Sequence, residues 1–206
     1  MSVSTIVRYV RDLSIVVAGI AVTLYASDRV SGRSEKRDLK LYLYAIKLEI
    51  EENIKTLDEA MEGLQPSIRY SNYLGSHDKE SLDRDTIESY QNSIYSFSSY
   101  TFKTNAFEMF KSSGIMRLVD DKELLLSLWE VYDELNSVQE TFETFFPIKW
   151  EDIKQEIALL LDGQKLKTVP MYNFYMMGMP LQMMRPCERA LKKSKEMVLV
   201  LETVRL

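Results

Sequence analysis

Apolar residues follow two patterns along this chain. Leu13 to Ser27, LSIVVAGIAVTLYAS, is an uncharged run with no polar face. From Leu39 onward, apolar positions return at helical spacing with charges between them. The first pattern suits a helix surrounded by apolar material, and the second suits amphipathic helices packed on one another.

Fifteen helical residues rise only about 22 Å, short of the roughly 30 Å hydrocarbon core of a bilayer. Extended back to Ile6, the helix reaches about 33 Å and spans, with Arg8 and Arg11 snorkelling to the headgroups. Tyr9 and Tyr25 fall near its two ends, where interfacial aromatics are favoured. A buried core helix and a cleaved signal peptide are the competing readings. The large Leu24, three positions before a cut after Ala26, disfavours cleavage. The expectation is a retained anchor over residues 1–30, with the span at about 6–27. Two basic residues (Arg8, Arg11) precede the run and five (Arg29, Arg33, Lys36, Arg37, Lys40) follow it. This asymmetry places the C-terminal side in the cytoplasm.

Ser31 and Gly32 form a candidate hinge at the membrane surface. Beyond them, Leu39, Leu43, Ile46, Ile50, Leu57 and Leu64 share a four-three spacing completed by Asn53 and Ala60. Lys47, Glu51, Glu52, Lys55 and Glu59 lie on the other side. This heptad seam predicts a stem-like helix over about 34–65. It is either an oligomerising coiled coil with Asn53 fixing register, or an amphipathic helix packed on its own domain. Pro66 should kink or end it.

A helical bundle is expected over about 83–206. A helix starting after Asp83 or Asp85 should bury Ile87, Tyr90, Ile94 and Phe97. Thr104 is a candidate cap for a short helix through Phe107 and Phe110, with Gly114 closing it. Asp120 and Glu123 resemble a capping box opening a helix with the stripe Leu124, Leu125, Leu128, Tyr132, Leu135, Val138, Phe142, Phe145. Pro147 should end that helix. A shorter helix is expected over about 150–161, stopped by Gly163, and a last one from about Cys187. No stretch alternates like a strand. The predicted class is all-α: an N-terminal transmembrane helix, a long amphipathic helix and a helical bundle.

Composition narrows the chemistry. The 31 acidic and 26 basic residues leave a net charge of −5, which argues against nucleic acid as a partner. The single cysteine, Cys187, excludes an internal disulfide and a cysteine-cluster metal site. The single histidine, His77, cannot build an H-E-x-x-H zinc site or a His-containing di-iron site within one chain. No glycine-rich phosphate loop occurs. Carboxylates such as Glu49, Glu51 and Glu52 are expected on solvated helix faces, and no spacing selects a catalytic pair. Thus no catalytic, cofactor-binding or metal-ligating residue is singled out, and no cofactor is expected. Residues 171–184 hold six of the eleven methionines. Adaptable thioether side chains can line a groove for a protein partner, fill gaps in a core, or bind Cu(I).

The run Ile15–Leu24, followed by the charged segment Leu48-Glu49-Ile50-Glu51-Glu52-Asn53, and then Phe110-Lys111-Ser112-Ser113-Gly114 with Leu118, Asp120, Lys122, Glu123 and Leu124, resembles an uncharacterised bacterial family often met in Bacteroidetes. The resemblance covers roughly residues 13–145. It implies one N-terminal membrane helix and a helical domain, with no activity or functional residues to transfer. Where that family carries a Gln-Ile-Asn-Asn-Trp-Asn run after the membrane segment, this chain has Tyr25-Ala26-Ser27-Asp28-Arg29-Val30.

Three functional classes are therefore expected. The first is a non-enzymatic, single-pass scaffold or sensor at a bacterial inner membrane, with the bilayer and further copies of itself as partners. The second is a membrane-perturbing effector whose soluble domain clusters short anchors. The third is an enzyme using carboxylates.

Overall fold

The computed structural model describes residues 3–77, 81, 83–90, 100–145 and 178–204, with side chains from Ser34 onward except at 84, 87, 88 and 145. The described residues are helical, without strands. Helix α1 runs over Val3–Ser76, α2 over Arg84–Ser89, α3 over Asn105–Ser112, α4 over Lys122–Phe145 and α5 over Met179–Thr203. A 3₁₀ turn, Ile115–Leu118, joins α3 to α4. The expected helix over 150–161, the positions of Ile94, Phe97, Pro147 and Gly163, and Met171 to Met177 lie outside the described residues.

Helix α1 departs from expectation in three ways. It passes through Ser31 and Gly32 without a break, so the backbone has no hinge there. It also continues ten residues past Pro66. A proline inside a helix loses one hydrogen bond and crowds the preceding turn, at about 3 kcal/mol. Burial outweighs that cost here, because Leu64, Ser67, Tyr70, Ser71 and Leu74 carry a buried stripe across the proline. Finally, the heptad seam is internal. Leu39, Leu43, Ile46, Ile50, Asn53, Leu57, Ala60 and Leu64 are all buried within the chain, so no second copy is needed to cover them. The seam packs chiefly on α5. Among the described residues no helix is long and apolar enough to cross a membrane. The run Leu13–Ser27 belongs to the part of α1 whose side chains fall outside the description.

Helices α1, α4 and α5 form the bundle, with α5 packed against both others. Lys193 on α5 bridges to Glu130 and Glu134 on α4, while Arg189 reaches Glu134. Near the end of α5, Glu202 accepts from Lys47 of α1 at 2.8 Å. These pairings make α5 antiparallel to α4. On α5 the small residues Cys187, Ala190 and Ser194 are fully buried at i, i+3 and i+7, a spacing that puts them on one face and lets a neighbouring backbone approach closely. On α1, Gly63 makes room for a side chain instead, since a Cβ there would lie 2.8 Å from the Tyr100 hydroxyl.

The starts of α2, α3 and α4 fall where expected, but α2 ends at Ser89 and leaves Tyr90 beyond it and only half-buried, and some caps are reassigned. Asp83 caps α2 as expected, accepting from the Thr86 amide at 2.8 Å and the Thr86 hydroxyl at 2.6 Å. At α4 the cap is Asp121 rather than Asp120: its carboxylate accepts from the amides of Glu123 (2.9 Å) and Leu124 (3.1 Å). Gly114 takes the left-handed conformation just after α3, with φ 74°. Leu124, Leu128, Tyr132, Leu135, Val138 and Phe142 are buried as their spacing predicts. Helix α5 begins eight residues before Cys187, with Gly178 left-handed ahead of it and Pro180 within its first turn. Proline suits that position because the first helical amides have no intrahelical partner.

Candidate functional site

A buried polar arrangement that joins three helices surrounds Glu49. At this point on α1 the strict surface reading of the sequence fails: Glu49 is buried, while Glu51 and Glu52 are not. The carboxylate accepts from the Ala106 amide at 2.7 Å, the Phe107 amide at 3.3 Å and the Tyr132 hydroxyl at 2.6 Å. The first two are unpaired amides at the start of α3, where Thr104 stands in the capping position but makes no side-chain cap bond. Glu49 therefore caps α3 from another helix, and its negative charge faces the positive end of the α3 dipole.

The surrounding residues extend the clamp. One turn along α1, Asn53 makes a two-way amide pair with Lys103: its Nδ2 donates to the Lys103 carbonyl and its Oδ1 accepts from the Lys103 amide, both at 2.8 Å. Glu52 forms an ion pair with the Lys103 ammonium. The Phe107 ring lies flat on Tyr132, with centroids 4.2 Å apart and planes 2° from parallel. Trp129 meets Phe107 edge-on at 5.2 Å, and the Lys111 ammonium sits about 5 Å from both rings. Burial and the bond to Glu49 push the Tyr132 hydroxyl far above its ordinary pKa, so it remains a donor. With three donors on its two oxygens, the Glu49 carboxylate acts as a fastener joining α1, α3 and α4.

A second feature lies beside it. Asp38, Leu41, Tyr42 and Ala45 of α1 form an open groove of about 510 Å³ with Met109, Ser113 and Ile115. The groove wall is mostly apolar, and Asp38 is its one charged member.

The remaining sequence candidates are dispersed. Cys187 is fully buried, its Sγ donating weakly to the Met183 carbonyl at 3.4 Å, and burial pushes the thiol up to about 12. Such a thiol is not ionised near neutrality, so it is no nucleophile. His77 is exposed at the end of α1, where its Nδ1 lies 2.9 Å from the Tyr73 carbonyl. In the methionine-rich segment, Met183 and Met184 are buried in the core. Among the described residues no group of three or more His, Cys, Asp or Glu side chains could hold a metal ion. Comparison with known protein families, curated proteins and solved structures gives no match to this chain.

The roles of Glu49 and Asn53 are not legible in the sequence because each depends on residues fifty or more positions away. One signal was present. Both fall within the buried arc of α1, where a polar residue needs a partner.

Proposed function

We propose that the protein is a non-enzymatic, single-pass, membrane-anchored scaffold or sensor of a bacterial inner membrane. In this reading residues 6–27 span the bilayer and the helical bundle faces the cytoplasm. The observation that carries the proposal is the continuity of α1. The uncharged run Leu13–Ser27 and the bundle-forming segment from Leu39 to Leu74 belong to one helix of 74 residues. A helix of that length is about 111 Å long, far more than a bundle of this size requires. A displacement at one end of such a rod reaches the other without a joint to absorb it.

Three further features support the reading. The basic residues after the run outnumber those before it, as expected for a cytoplasmic bundle. The polar cluster around Glu49 is saturated by structural bonds, which suits a domain that works through its surface. The resemblance to bacterial proteins with one membrane helix and a helical domain points the same way.

Membrane fractionation of the full-length chain tests the proposal. The protein should stay in the membrane pellet through a carbonate wash and enter solution only with detergent. Release by carbonate or high salt alone rejects the anchor and the scaffold model with it.

A further inference from the structure

The internal seam of α1 leaves its opposite side facing outward, and that side is apolar over two turns. Leu41 is 60% exposed, Tyr44 59% and Leu48 43%. Their spacing is three then four, the spacing of a coiled-coil seam. Glu51 and Lys55, at the next two such positions, end the apolar stripe on the C-terminal side. Toward the N-terminus the same register does not end. Counting back along the helix it falls on Arg37, Ser34, Val30, Ser27, Thr23, Ile20, Val16, Leu13, Tyr9 and Ile6. Arg37 is the only charged residue in this series.

We propose that this second seam joins α1 to α1 of a second copy, parallel and in register, from the anchor up to Leu48. Three arguments select a second copy over an unrelated partner. Every seam position but Arg37 is uncharged and can meet its own counterpart in a parallel pair without repulsion, while the exposed Arg37 side chain must turn outward from its like-charged counterpart. Charges beside the seam also match: a parallel register sets position 33 of one copy against position 38 of the other, an arginine against an aspartate whose contact within its own chain is a long 3.9 Å pair with Arg37. The exposed portion is moreover too small to act alone. Leu41 to Leu48 covers only about 10 Å of helix, whereas stable interfaces bury roughly 1,200 Å² or more. Continuing the seam to Ile6 makes it about 63 Å long. Serine and threonine at positions 23, 27 and 34 suit close helix approach within and near a bilayer.

The groove beside Leu41 fits this arrangement. Asp38 and Ala45, two of its lining residues, occupy the positions that flank the seam on one side. They would face the flanking positions of the second copy. The parallel orientation and the charge match rest on the anchor proposed above, while the exposed stripe from Leu41 to Leu48 does not.

Single-cysteine variants of the full-length protein test the proposal. In a Cys187→Ala background, Tyr44→Cys and Leu48→Cys are oxidised in native membranes and compared with Leu126→Cys, which is more exposed than either but lies on α4. The seam variants should form disulfide-linked dimers at least fivefold more abundantly than Leu126→Cys. In detergent, Leu41→Glu combined with Leu48→Glu should shift the protein from dimer to monomer without loss of helical circular dichroism. Both residues are exposed, so this double substitution leaves the core intact. Equal cross-linking at position 126, or a dimer that survives the double substitution, overturns the seam. A protein that pellets with membranes but fails these tests keeps its anchor and loses the seam. A soluble protein that passes them loses the anchor and keeps it.

Discussion

Replacing Glu49 by alanine leaves three donors facing an empty site: two amides at the start of α3 and the Tyr132 hydroxyl. Hydrogen bonds to a charged group contribute about 1.5–3 kcal/mol each, and leaving a buried donor unpaired costs about 1–3 kcal/mol. The bonds share one carboxylate and do not add, so the expected loss is about 3–5 kcal/mol. Against a typical stability of about 5–15 kcal/mol, that is a large fraction. Glu49→Gln keeps one acceptor oxygen but turns an amide NH₂ toward other donors, at about 2–3 kcal/mol. Tyr132→Phe removes one donor and retains the Phe107 stacking, at about 1–2 kcal/mol. The readout is urea denaturation followed by Trp129 fluorescence, with Trp150 replaced by Phe. Trp129 touches Phe107, so it reports directly on α3. A double-mutant cycle of Glu49→Gln and Tyr132→Phe should give a coupling of about 1–2 kcal/mol. A cost below about 1 kcal/mol for Glu49→Ala, with unchanged Trp129 fluorescence, would refute the clamp.

Asn53→Leu separates two readings of the α1 seam. If Asn53 only set the register of a coiled coil, leucine would stabilise the assembly. Because Asn53 pairs with both backbone groups of Lys103, leucine should instead lower the urea midpoint, by about 2–3 kcal/mol in stability. Ser194 is fully buried, and among the described residues its hydroxyl is the one buried side-chain polar atom without a partner. Ser194→Ala should therefore stabilise by about 1 kcal/mol in thermal unfolding. Cys187 sets an alkaline limit: its folded pKa is raised from 9.0 to about 12. Its contribution to stability is complete below about pH 9, where both states keep the proton. It then declines as pH rises toward 12, because the unfolded thiol ionises first. The raised Tyr132 hydroxyl acts in the same direction. The alkaline fall in melting temperature should flatten in Cys187→Ala, and a native thiol that reacts rapidly at pH 8 would contradict the burial argument.

Local periodicity made much of the helical plan legible. The stripes of α1 and α4 and the ends marked by Asp83 and Gly114 depend on residues within a few turns of one another. Errors arose where a distant residue supplied the decisive interaction. Thr104 looks like a cap, but Glu49 does the capping from more than fifty residues away. Pro66 looks like a terminator, yet the buried stripe from Leu64 to Leu74 carries the helix through it. Asp121, one place from the expected Asp120, caps α4, a difference within the usual uncertainty of helix boundaries. The outer apolar stripe on α1 was hidden by the charges beside it. Leu41, Tyr44 and Leu48 stand out only once the inward face is known.

The central claim is that one unbroken helix joins the apolar run to the bundle. Paired spin labels at Ala26 and Tyr44 test it across Ser31 and Gly32. The full-length Cys187→Ala protein would be reconstituted in liposomes and diluted with unlabelled chains. Eighteen helical residues separate the labels by five turns on one side of the helix, or about 27 Å. A single narrow distance distribution near that value is expected. A broad distribution, or one centred well below about 20 Å, would mean that α1 bends or unwinds between its two halves, and the account of a rigid rod would fail.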